Sequence, residues 1–119
     1  MKNQPFRERL RFALAGLRHA ARAEKSVRIQ IVVFVLVMVV MALLRPGPAW
    51  WGLVLLASTG VLSTELLNTA VEHLADHLHP EVHPSIRMVK DCAAAAVFVA
   101  VLGAVAVGIA LAVHVLLTK

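Results

Sequence analysis

From Ile29 to Leu44 the chain reads IQIVVFVLVMVVMALL, sixteen residues in which Gln30 is the one polar side chain. A segment apolar on every side has no face to offer water and must be covered all round, by protein or by lipid. Protein cannot supply the cover here. The chain has 119 residues, 60% of them hydrophobic, and so small a globule has too little interior for that much apolar surface. The charged fraction of 16% also falls below the ~25% usual in soluble domains. Disorder is excluded by the same composition. A disulfide scaffold is excluded because Cys92 is the single cysteine. The expectation is a small all-α integral membrane protein forming one domain over residues 1–119.

Residues 1–28 are polar and basic, with Lys2, Arg7, Arg9, Arg11, Arg18, Arg22, Lys25 and Arg28. The first apolar run starts too late for a cleaved secretory signal. Residues 5–24 read as an amphipathic helix. At about 100° per residue, Phe6, Leu10, Ala13, Leu17, Ala20 and Ala21 share one face, opposite a basic one. That pattern suits a helix lying in the membrane interface rather than a nucleic-acid patch, so no nucleic-acid partner is expected. The first span is placed at 29–44, with Arg28 and Arg45 snorkelling from its ends. Pro46-Gly47-Pro48 makes a turn, and Trp50 and Trp51 sit at interfacial height. A second span covers 49–76 and a third 88–117. The stretch HLHPEVHP, His77 to Pro84, is read as the loop between them. Ala96, Ala100, Ala104, Gly108 and Ala112 recur every four residues, which lets membrane helices approach closely. Basic residues mark the N-terminus and the 77–90 loop as cytoplasmic and leave the C-terminus extracytoplasmic.

The second span carries what an anchor does not need. Glu65, Asn68, Glu72 and Asp76 are spaced by three, four and four residues, so they fall on one helical stripe. A carboxylate in mid-membrane costs on the order of 2.5–3.5 kcal/mol, and ionisable groups there are functional by default. The bland alternative pairs these acids with Lys90, Arg87 or Arg28 as interhelical glue. Three like charges on one stripe repel, and a divalent cation relieves that repulsion. Mg²⁺ suits one or two carboxylates together with phosphate. Glu24, Glu72, Asp76, Lys90 and Asp91 can gather at one cytoplasmic interface. Acids for a cation, a lysine for phosphate and the deeper Glu65 point to phosphoryl transfer onto a lipid. The chain has no G-x-x-x-x-G-K-S/T or G-x-G-x-x-G loop, and no HRD or DFG triplet, so ATP would bind by another design. His73, His77, His79 and His83 are spaced as zinc ligands can be, but the absence of Cys and the surface position favour interfacial polar roles.

Glu65-Leu66-Leu67-Asn68-Thr69-Ala70-Val71-Glu72 resembles the E-L/I-L/I-N-S/T-A-I/V-E signature of the prokaryotic diacylglycerol kinase family, which includes undecaprenol kinases. Lys90-Asp91 with Ala93, Ala94 and Ala96-Val97 resembles its K-D-x-A-A/S-x-A-V element. Gly16-Leu17 with Glu24 and Arg28 resembles its N-terminal element, and Asp76, Glu81 and His83 fall at family spacing. The resemblance implies a homotrimer in the bacterial cytoplasmic (inner) membrane, with active sites shared between subunits. It implies that Glu65 is the general base and contacts the lipid, with Asn68 its polar neighbour in the catalytic pair and Ala94 at the substrate. It further implies that Glu24 and Glu72 hold Mg²⁺ on the phosphates, and that Asp76, Glu81, His83, Lys90 and Asp91 join them in binding ATP. Ala94 stands where one variant of the family pattern has Ser. The H-P-x-I-x-x-x-K-D order of the loop resembles the undecaprenol-kinase branch, which favours undecaprenol over diacylglycerol as the lipid alcohol.

Two readings of other classes compete. Glu65 could carry protons in a small proton- or cation-coupled transporter. The chain could also be a non-catalytic membrane assembly module. Acids crowded at one interface, rather than strung along a path, argue for the kinase.

Overall fold

The structure is a computed structural model and describes residues 3–119; Lys2, counted above with the basic N-terminal segment, lies outside them. Every regular element among the described residues is a helix: α1 (Phe6–Ala23), α2 (Lys25–Leu44), α3 (Pro48–Leu78) and α4 (Pro84–Leu117). Three of these, α2, α3 and α4, are long and apolar enough to cross a membrane.

Each helix boundary has a local cause. Glu24 adopts an extended conformation (φ −119°, ψ 120°) and separates α1 from α2. The Arg28 guanidinium reaches back and donates to the carbonyls of Ala21 (2.9 Å) and Arg22 (3.1 Å), two of the orphan acceptors at the end of α1. Arg28 thus locks the break, where its sequence position suggested a snorkelling role. Helix α2 begins at Lys25, ahead of the apolar run. It ends with Arg45 in the left-handed region (φ 49°), and Gly47 follows at φ 107°, a conformation open to glycine and strained for side chains. Pro48 and Pro84 both occupy the first turn of a helix, where the missing N–H costs nothing. Pro80 ends α3 by disfavouring helix at His79. The α3–α4 connection is therefore residues 79–83, shorter at both ends than the 77–84 stretch expected.

Helices α3 and α4 form the main antiparallel pair. Along α4 the covered positions include Ile86, Lys90, Ala93, Val97, Ala100, Ala104, Val107, Leu111 and His114, a repeat of about 3.5 residues, with Val101 and Val115 half-buried beside them. Ala100 and Ala104 lie in that seam, whereas Ala96, Gly108 and Ala112 are exposed. The four-residue repeat of small side chains is therefore not a single contact face. Each step of four advances about 40° round the helix, so the row spirals out of the seam. Met41 of α2, Val54 of α3 and Leu111 of α4 meet in a small core with Trp50 and Trp51. Trp50 also packs on the His114 ring, with centroids 5.2 Å apart. Beside this core, α2, α3 and α4 border an apolar groove of about 780 Å³ in which Gln30 and Ser58 are the polar lining residues. Helix α1 packs by its C-terminal part: Ala20 is buried and Leu17 and Ala21 half-buried, while Phe6, Leu10 and Ala13 are exposed.

Candidate functional site

Helix α3 is 31 residues long. A bilayer core takes about 20 residues of helix, so α3 outruns it by roughly 16 Å. Counted from Pro48, the crossing ends near Leu67. Glu65 then falls near that end of the apolar stretch, and Glu72 and Asp76 stand about one and a half and two and a half turns beyond it. The excess length is what allows one helix to carry both an apolar span and a stripe of acids.

Glu65 is buried, with 5% of its surface exposed. Its Oε1 accepts a hydrogen bond of 2.5 Å from the Ser26 hydroxyl, in the first turn of α2. A buried carboxylate needs such a donor, since an unpaired one would be costly. One turn further on, Thr69 is buried on the same face. Asn68 donates from Nδ2 to Glu72 Oε1 at 3.2 Å, which settles the orientation of its amide, because the reverse would oppose two acceptors. Asn68 Oδ1 is buried and has no hydrogen-bond partner among the described residues.

Glu24 comes to this stripe from the α1–α2 break. Its Oε1 lies 3.2 Å from Nε2 of His73, the residue after Glu72. Lys90 of α4 donates to Asp76 Oδ1, closing the hairpin at the same end. Asp91 pairs instead with Arg87 on its own helix, at 3.2 Å, on the exposed side. Ala94 is also exposed, one position off the seam occupied by Ala93. Glu81 and His83 lie in the connection. With His79, Ile86, Arg87 and Lys90 they line a hollow of about 70 Å³. His79 Nδ1 bonds to the Glu81 carbonyl at 2.9 Å, and His83 Nδ1 accepts from the Ser85 amide at 3.1 Å, capping α4. Lys90 therefore links the acidic stripe to the loop hollow.

The structure thus gathers Glu24, Glu65, Asn68, Glu72, Asp76 and Lys90 along one end of α3, keeps Glu81 and His83 beside Lys90, and leaves Asp91 and Ala94 on the outer side of α4. Ser26 was not singled out by the sequence reading, and His73 was weighed there only as a zinc ligand or an interfacial polar residue. Both are partners from across a helix boundary, and no spacing rule reports them. Among the described residues no three Asp, Glu, His or Cys side chains converge as a metal cage. The donor set still fits Mg²⁺, which takes one or two carboxylates and completes its octahedron with phosphate and water. Glu24 and Glu72 each use only Oε1 in hydrogen bonds among the described residues.

The sequence pattern described as prokaryotic diacylglycerol kinase matches residues 11–112, and so spans the whole of this arrangement. The chain belongs to the prokaryotic diacylglycerol kinase family. This family member is 35% identical over 99 residues to the diacylglycerol kinase of Synechocystis sp., a match covering 82% of the chain and 57% of that protein. It is 33% identical over 84 residues to the undecaprenol kinase of Bacillus subtilis, covering 71% of the chain and 68% of that protein. The chain therefore spans little more than half the length of the Synechocystis relative.

Proposed function

We propose that this protein is a membrane lipid kinase that transfers the ATP γ-phosphate to the hydroxyl of a lipid alcohol, with undecaprenol favoured over diacylglycerol. The observation that carries the reading is Glu65: a buried carboxylate, already hydrogen-bonded to a hydroxyl, at the inner end of an apolar helix and at the head of a stripe of oxygen ligands. Family membership and the names of both relatives support it. The loop order His83-Pro84-x-Ile86 to Lys90-Asp91 favours the polyprenol alcohol.

A lipid hydroxyl is a weak nucleophile and gives up its proton only as it attacks. Glu65 takes that proton as general base. The lipid oxygen forms its bond to the γ-phosphorus while the bond to the bridging oxygen of ADP breaks. Asn68 Oδ1 orients the incoming hydroxyl. Lys90, exchanging Asp76 for phosphate, offsets charge on the transferred group. Glu24 and Glu72 would hold Mg²⁺, which when bound neutralises the phosphate oxygens. Glu81, His83, Asp91 and Asp76 complete the nucleotide side. The lipid stays in the bilayer and presents only its hydroxyl, so no deep soluble pocket is needed. The N-terminus is cytoplasmic and the C-terminus extracytoplasmic, in the bacterial inner membrane, with α1 in the interface. Three copies assemble, which covers part of the broad apolar surface of α2 and α4 and completes a site that is open on the α4 side.

The test is purified full-length protein in mixed micelles with labelled ATP, Mg²⁺, and undecaprenol and diacylglycerol side by side. Label should pass to undecaprenol faster. A folded oligomer that phosphorylates neither lipid, or that moves cations without needing ATP, would falsify the reading.

A further inference from the structure

Ser26 stands two residues beyond Glu24 and makes a bond that joins the first turn of α2 to the middle of α3. Its Oγ to Glu65 Oε1 distance is 2.5 Å. The residue after it, Val27, is fully buried, so the first turn of α2 is held firmly. The two bonds from Arg28 to the end of α1 fix the same turn from the other side. Ser26 has a single rotatable bond before its hydroxyl, whereas Glu65 has three before its carboxylate. The serine is the rigid partner and the glutamate the one that needs orienting. Among the described residues no other donor bonds to Glu65. A carboxylate offers about four acceptor positions, so one bond to Ser26 leaves room for a lipid hydroxyl.

We infer that Ser26 is a positioning residue for Glu65: its hydroxyl holds one carboxylate oxygen so that the other faces the lipid hydroxyl. This rests on the reading of Glu65 as general base. Ser26 keeps its own proton throughout, and the proton of the lipid alcohol goes to the free oxygen of Glu65. A base must come within about 2.6–3.2 Å of the proton it takes, and an unheld glutamate at the end of a flexible stem spends little time there.

Full-length Ser26→Ala, Ser26→Thr and Glu65→Gln proteins in mixed micelles with Mg²⁺ and ATP test it. Ser26→Ala should lower kcat about tenfold or more while KM for ATP and lipid stays within about twofold, as expected for loss of a hydrogen bond to a charged group. Ser26→Thr keeps the hydroxyl and should retain most of kcat. Ser26→Thr should melt with the parent, whereas Ser26→Ala should melt lower because it leaves the buried Glu65 carboxylate without its donor, so kcat is read per folded molecule. A parental kcat for Ser26→Ala, or a loss confined to KM, overturns the inference. So does label appearing on Ser26 itself in the absence of lipid, which would make it an acceptor. If Glu65→Gln is inactive and Ser26→Ala is normal, only the positioning role falls. If Glu65→Gln keeps full turnover, the base and its positioning residue fall together.

Discussion

Lys90 of α4 donates a hydrogen bond to Asp76 of α3, so the amine proposed to meet phosphate is paired with a carboxylate of the neighbouring helix. Their side chains are 35% and 62% exposed, and exposed pairs contribute ~0–1 kcal/mol to stability. The pair is therefore weak enough for the exchange of Asp76 for phosphate that the proposed mechanism requires. Lys90→Met should raise KM for ATP about tenfold or more with a melting temperature close to the parent, read by steady-state kinetics and thermal unfolding in detergent. Unchanged ATP kinetics would remove Lys90 from the site.

Glu65→Gln removes the proton acceptor while keeping shape and the capacity to bond Ser26. General-base loss typically costs ~10²–10⁴ in rate. The expected result is a fall in kcat of that order with little change in KM for ATP, because a base acts in the transition state. Equal loss in kcat and ATP affinity would make Glu65 a binding residue.

Glu72 has one oxygen bonded to Asn68 and the other available. Glu72→Gln removes the charge and should raise the Mg²⁺ concentration needed for half-maximal activity about tenfold, with KM for the lipid unaltered. A parental Mg²⁺ dependence would take Glu72 out of the metal site.

Gly47 lies at φ 107° with nothing within 4 Å of where a Cβ would stand. The cost of Gly47→Ala is thus conformational rather than a clash. It should destabilise the protein by about 1 kcal/mol or more, seen as a lower melting temperature with kcat retained per folded molecule. An unchanged melting temperature would mean the α2–α3 turn relaxes freely.

The acidic stripe was legible from sequence because all four of its members lie on one helix. A spacing of three, four and four is a statement about a single segment, and α3 runs unbroken through all of it. The small-residue row on α4 was misleading for a related reason. Regular spacing at four is not the period of the contact seam, which needs about 3.5, so of that row Ala100 and Ala104 alone are covered among the described residues. The loop ends were off by a turn fraction because proline restricts the residue before it and begins the helix after it, at Pro80 and Pro84 alike.

By itself the sequence determined that this chain is helical, that three of its helices are apolar enough to span a membrane, and that Glu65, Glu72 and Asp76 fall on one stripe of the second. Those properties follow from composition and from a period that belongs to each helix alone. Only the tertiary structure decided that Ser26 meets Glu65, that His73 meets Glu24 and that Lys90 meets Asp76. Such pairs depend on how far each helix is rotated and slid against its neighbour. Packing across the α2–α3 and α3–α4 seams sets that, and no spacing within one segment records it.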